Sequence, residues 1–137
     1  MKNHFLVLPL LFLIFSCSES VDSKNPLVDF NSSPNEWLLH GRTYAEERHS
    51  PLDQINTSNV DQIGLSWSFE TGTNRGHETT PIVKDGVMFI TAPWSVVHAL
   101  DAKTGDLLWT HDPQVERAWA NNACCDVVNR GVALYEN

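Results

Sequence analysis

Between Ile82 and His111 the chain alternates short apolar runs with turn residues so regularly that little but a small antiparallel sheet can form. Ile82-Val83 and Val87-Met88-Phe89-Ile90 flank Lys84-Asp85-Gly86, and Asp-Gly between apolar runs is a strong hairpin signal. Ser95 to Leu100 supplies a third strand, Asp101 to Gly105 a turn, and Leu107 to His111 a fourth strand. Upstream, Leu65-Ser66-Trp67-Ser68-Phe69 alternates large apolar residues with serine, the period of a half-buried strand. Both faces of the run from Val87 to Ile90 are apolar, so the sheet is expected to be covered on both sides. Short strands at this density, four in about 45 residues, predict an all-β chain and one blade of a β-propeller.

The first sixteen residues obey a different grammar. Lys2 is their only charge, Phe5 to Phe15 is an eleven-residue apolar run, and Ser16-Cys17 closes it. A membrane span needs roughly 20 apolar residues, so residues 1–16 read as a secretory signal and not as an anchor. Ile14-Phe15-Ser16-Cys17 resembles a bacterial lipobox, which would make Cys17 a lipidated mature N-terminus. A plain signal peptide cleaved elsewhere is the alternative. Residues 17–33 are polar, lack periodicity and read as a tether; residues 34–137 form the folded part. Within it, Ser33-Pro34-Asn35-Glu36 carries an N-cap, a first-position proline and a glutamate three after the cap, predicting a short helix to about His40 stopped by Gly41. A second short turn is expected from Ser58 to Ile63.

Charge removes other classes of partner. Lys and Arg number 9 against 17 Asp and Glu, a formal balance of −8. Without residues 1–16 the cations fall to 8 and the balance to −9. The cations are scattered singly from Lys24 to Arg130, whereas nucleic-acid binding needs them clustered. No nucleic-acid role is expected, and membrane contact only through the lipid.

Three cysteines are an odd number for an exported chain, but lipidation of Cys17 leaves the neighbours Cys124 and Cys125. An oxidising compartment permits a bond between them. Such a bond is strained, because adjacent Cα atoms lie about 3.8 Å apart. It closes no loop of consequence, so stability is a poor reason for it and a local functional role gains weight. Two reduced, buried thiols are the alternative. Zinc fits less well, since ligand pairs usually stand two to four residues apart and there is no second pair here.

The turn from Ala99 to Trp109 has its own chemistry: Gly105 permits a positive φ, Asp101 and Thr104 can bond turn amides, and Trp109 offers a flat ring for packing between blades. This Ala-x-Asp-x-x-Thr-Gly-x-x-x-Trp pattern resembles the tryptophan-docking repeat of quinoprotein propellers. Gly41-Arg42-Thr43-Tyr44, Arg48, Ser50-Pro51-Leu52, Gln54-Ile55-Asn56, Asn74-Arg75-Gly76-His77-Glu78-Thr79-Thr80-Pro81 and Cys124-Cys125-Asp126-Val127-Val128-Asn129-Arg130-Gly131 are similar to the N-terminal region of the pyrroloquinoline quinone (PQQ)-dependent alcohol dehydrogenases. The resemblance runs from about Asn35 to the last residue.

That resemblance implies an eight-bladed propeller, of which the chain would hold the N-terminal segment and roughly the first two blades. It further implies a central PQQ beside a calcium or lanthanide ion. Glu78 would touch the quinone's edge, Cys124 and Cys125 would form a disulfide stacked on its plane, Val128 would make an apolar contact, and Arg130 would pair with a cofactor carboxylate. The chemistry suits a planar tricarboxylate, for which a guanidinium is a bidentate partner and polarizable sulfur a good wall. Glu78 would need a shared proton or a nearby cation. The metal ligands and the catalytic base are expected beyond Asn137, so no catalytic or metal-ligating residue is assigned and the chain reads as a fragment. The implied function is periplasmic, lipid-anchored alcohol oxidation, passing electrons to an acceptor such as a c-type cytochrome. The alternative is a non-catalytic propeller lipoprotein that acts as a scaffold in outer-membrane protein assembly.

Overall fold

Asp85 (φ 50°) and Gly86 (φ 76°) are both left-handed, the conformation that a two-residue hairpin turn matched to strand twist requires. They fold strand β1 (Ile82–Lys84) back on β2 (Val87–Thr91), with Ile82 opposite Phe89 and Lys84 opposite Val87. This arrangement is seen in a computed structural model that describes residues 33–135. The expected signal segment, Cys17 and almost the whole tether lie outside the described residues.

From β2 the chain turns at Pro93–Ser95 into β3 (Val97–Asp101), which pairs with β2 from Val87↔Asp101 to Thr91↔Val97. Strand β4 (Leu107–His111) then pairs with β3, and the register shifts between Ala99 and Leu100, which face Trp109 and Leu107. The result is one antiparallel sheet in the order β1-β2-β3-β4, the blade that the sequence spacing predicts.

The turn between β3 and β4 is built by Asp101. Its Oδ1 accepts the N–H groups of Lys103 at 2.8 Å and Thr104 at 2.9 Å, and its carbonyl accepts Gly105 N–H at 2.8 Å. Gly105 sits at φ 79°, where a side chain is strained.

Burial concentrates on the first three strands. Ile82, Thr91, Ala92, His98, Ala99 and Leu100 are buried, together with Leu38 from the N-terminal segment. Ala99 and Leu100 are neighbours on one strand and point to opposite faces, so β3 is covered on both sides, whereas Val87 to Ile90 on β2, where the sequence predicts that coverage, are half-buried. Strand β4 is exposed along its length, including Trp109 at 47%. Its ring touches Phe89, with centroids 6.0 Å apart.

The helix expected from Pro34 to His40 is absent. A turn forms at Pro34 and Asn35, and Trp37 then exchanges both backbone hydrogen bonds with Val83, at 3.0 and 2.9 Å. The Glu36 carboxylate, expected to cap a helix, instead accepts Asp85 N–H at 3.1 Å. Pairing along the free edge of β1 satisfies the backbone groups that a helix would have satisfied, and tertiary contact overrides the local signal. The predicted turn near Ser58 is present as the 3-10 segment Val60–Gln62. Residues 65–69, expected as a strand, belong to no sheet among the described residues. One four-stranded sheet is formed among the described residues.

Candidate functional site

Three segments meet beside the β2–β3 turn: 78–80, 91–95 and 124–131. Asn129 ties the second to the third. Its carbonyl accepts the Thr91 hydroxyl at 3.1 Å, its Nδ2 donates to Ser95 Oγ at 3.1 Å, and its Oδ1 accepts Gly131 N–H at 2.9 Å. Thr79 Oγ1 accepts Thr91 N–H at 3.0 Å. Thr80 N–H donates to the Arg130 carbonyl at 3.2 Å and Trp94 N–H to the Val127 carbonyl at 2.9 Å. Gly131, at φ 133°, lets the strands of chain approach: a Cβ there would stand 3.2 Å from the Thr80 carbonyl oxygen.

On this frame, Arg130 Nη2 donates to Glu78 Oε2 at 2.9 Å. The thiols of Cys124 and Cys125 lie beside the pair with their sulfurs 2.8 Å apart. The Cys125 thiol is pushed above its ordinary range first by its hydrogen bond with Cys124, then by desolvation and the Glu78 carboxylate, while Arg130 pulls it down. Both thiols are free and exposed. The expected disulfide is therefore not formed in this structure, and the alternative of buried thiols does not describe it either. Val128 is half-buried on the same segment. The structure thus brings Glu78, Arg130 and the two cysteines together, and places Val128 on their backbone frame.

The site fits a planar, polycarboxylated group. The Arg130 side chain is 73% exposed and, among the described residues, carries Glu78 as its one carboxylate partner, which leaves guanidinium donors for a second, bidentate one. The same cation offsets the Glu78 carboxylate where an anionic ligand would approach it. Among the described residues no group of three or more His, Cys, Asp or Glu is placed to hold a metal ion.

Sequence reasoning assigned no role to several neighbours. Arg75 pairs with Asp126. The guanidinium carbons of Arg75 and Arg117 lie 5.6 and 4.3 Å from the centroid of Trp94. Trp94 (φ 67°) and Ser95 (φ 58°) are left-handed, a conformation rare for bulky residues and without a sequence signal. A cleft of about 290 Å³ opens between Thr71–Thr73, Ala92–Trp94, Val96 and Arg117.

The profile of the family described as "Glucose/ethanol/alcohol dehydrogenase, beta-propeller domain", a PQQ family, matches residues 37–137. The chain belongs to this PQQ-dependent alcohol dehydrogenase family. It is 58% identical over 101 residues to the 1-butanol dehydrogenase (cytochrome c) of Thauera butanivorans, covering 74% of this chain and 15% of that enzyme. The structure of the quinohemoprotein alcohol dehydrogenase ADHIIG from Pseudomonas putida HK5 superposes with a TM-score of 0.75 at 55% identity, over 77% of this chain and 16% of that one. A europium-containing methanol dehydrogenase superposes at 0.69 with 40% identity, over 75% and 18%. The chain spans about 15% of the length of the curated relatives it matches. Membership of the PQQ-dependent family fixes the fold as part of a quinoprotein β-propeller, and these relatives lend the scaffold alternative no support.

Proposed function

We propose that the protein carrying this chain oxidises alcohols with PQQ, and that residues 78–130 furnish one wall of the cofactor site. The observation that carries this reading is the convergence of Glu78, Arg130 and the two cysteines, 46 residues apart from Glu78 to Cys124, at a single exposed place in a chain of this family. When bound, PQQ supplies the two-electron acceptor for alcohol oxidation. Arg130 would hold a carboxylate of the cofactor through its spare donors, Glu78 would contact the polar edge, Val128 would add an apolar contact, and Cys124 and Cys125, oxidised to a disulfide by a thiol oxidant of the exporting compartment that takes up their two electrons, would lie against the ring plane. A calcium or lanthanide ion completes the site, with its ligands and the catalytic base drawn from outside this segment.

Electrons leave to a periplasmic acceptor such as a c-type cytochrome. The reading is supported by a relative whose name includes cytochrome c and by others named quinohemoproteins. Location in the periplasm with a lipid on Cys17 rests on the leader-like sequence of residues 1–17. The test is to purify the intact protein, add PQQ with calcium or with a lanthanide, and record quinone absorbance and dye-linked alcohol oxidation. Both should appear with at least one metal. Absence of both with every metal would overturn the reading.

A further inference from the structure

Two ion pairs bridge the same two segments with reversed polarity. Arg75 reaches from the first segment to Asp126 on the second, and Glu78, three residues on, accepts from Arg130, four residues beyond Asp126. A slip of either segment would set like charges opposite one another, so together the pairs define one register. Asp126 directly follows the cysteines, and both Cys125 (φ 66°) and Asp126 (φ 72°) are left-handed. Asp visits that conformation with help from its own side chain, but Cys keeps it only where its surroundings enforce it. One oxygen of the Asp126 carboxylate ties the turn down twice: Oδ1 accepts its neighbour Val127's N–H at 2.8 Å and also takes Arg75. Arg75 is in turn placed by Trp94, whose ring it approaches at 5.6 Å and whose N–H holds the Val127 carbonyl at 2.9 Å.

We propose that Arg75 and Asp126 are positioning residues, a latch that fixes the Cys124–Cys125 turn against the Glu78 segment. The inference rests on the cofactor reading above and deepens it. An anionic cofactor that takes the spare Arg130 donors shares the guanidinium's charge with Glu78, loosening one of the two bridges. Arg75–Asp126 is then the bridge that keeps the segments in register. Both of its side chains are partly exposed, and a pair of that kind adds little to global stability, so its consequence is local geometry.

The experiment uses the intact protein and the variants Arg75→Gln, Asp126→Asn and the double change. Asp126→Asn keeps an oxygen for Val127 N–H and tolerates a positive φ, so it removes only the charge pair. In the first arm the cofactor-free protein is reduced and the alkylation rate of the two thiols is followed. Loss of the latch raises the rate severalfold in both single variants, and the double variant goes no further. Pure electrostatics would move them oppositely, because one change removes a cation near the thiols and the other an anion. Opposite shifts, or none, would overturn the latch. The second arm measures the equilibrium affinity for PQQ by titration. Each single variant should bind about tenfold more weakly, with unchanged turnover at saturating cofactor and an unchanged KM for alcohol. If the wild type takes up no PQQ while the first arm holds, the function proposed above fails and the latch stands as a local device. If the wild type binds PQQ and the variants bind equally well, the positioning role is wrong.

Discussion

The indole of Trp67 occupies the space that a side chain on Gly105 would need: a Cβ there would fall 2.5 Å from Trp67 Cε3 and 2.6 Å from Cδ2. Thus the ring that docks on this repeat's glycine comes from the segment before β1, while the repeat's own Trp109 stays half-exposed on β4. Gly105→Ala places a methyl group against that ring and forces alanine to φ 79°. The left-handed backbone costs about 1–2 kcal/mol and overpacking about 1–3 kcal/mol more. Chemical unfolding of the intact protein should show a loss of at least about 2 kcal/mol. Trp67→Ala, combined with the glycine change, should recover the steric part and leave the backbone part.

The sheet was legible in the sequence because its determinants are local. Asp85-Gly86 dictates its own turn, and Asp101 with Gly105 closes another within five residues, so apolar spacing and turn chemistry placed all four strands. The Glu36 capping signal was equally local but misleading, since the edge of β1, nearly fifty residues on, offered Trp37 a better partner. The candidate site lay further from view. Arg75 and Asp126 are 51 residues apart, and nothing in the periodicity of either segment says that they meet. Glu78, the cysteines and Arg130 were reached by resemblance, and the left-handed turn at Trp94 carries no compositional mark at all.

His98 makes stability depend on pH on the acid side of neutrality. It is 7% exposed, its Nδ1 meets Thr110 Oγ1 at 3.0 Å, and its Nε2 has no hydrogen-bond partner among the described residues. Burial first, and then the charge of His77, hold its pKa below the ordinary 6.5. In the window between the native pKa and 6.5 the unfolded chain binds the proton and the native one does not, so stability falls as pH drops through that window. It is fully present above the window and levels off below it. Urea midpoints measured from pH 8 down to 4.5 should show the fall, and His98→Gln should flatten that part of the profile.

Lipidation of Cys17 is tested in cells. Radiolabelled palmitate should enter the wild type and leave a Cys17→Ala variant unlabelled, because the proposed acceptor is the thiol itself. Equal labelling would remove the lipid anchor from the proposal and leave the dehydrogenase reading untouched.

Replacing both cysteines of the candidate site separates cofactor contact from packing. Cys124 and Cys125 are exposed, and a bond between neighbours restricts almost none of the unfolded chain. Cys124→Ser with Cys125→Ser should therefore shift the unfolding midpoint of the cofactor-free protein only slightly, while PQQ retention falls at least tenfold. A large loss of stability with retention intact would make the pair a packing element.

The reduced pair carries a second, electrostatic signature. Cys125 is held above its ordinary thiol range by Cys124, by desolvation and by Glu78, against the opposing pull of Arg130. The reactive species in alkylation is the thiolate, so at a pH below the native pKa the rate follows the thiolate fraction. Glu78→Gln removes an anion, lowers the thiol's pKa and should speed alkylation of Cys125 at pH 7.5. Arg130→Gln removes a cation, raises the pKa and should slow it. Both changes break the same 2.9 Å ion pair, so if the pair acted only as a mechanical tether the two variants would react alike. Opposite shifts, each shrinking in high salt as screened charges require, would establish that Glu78 and Arg130 act on the sulfurs through their charges. Equal shifts in one direction would show that the two charges do not govern the thiol.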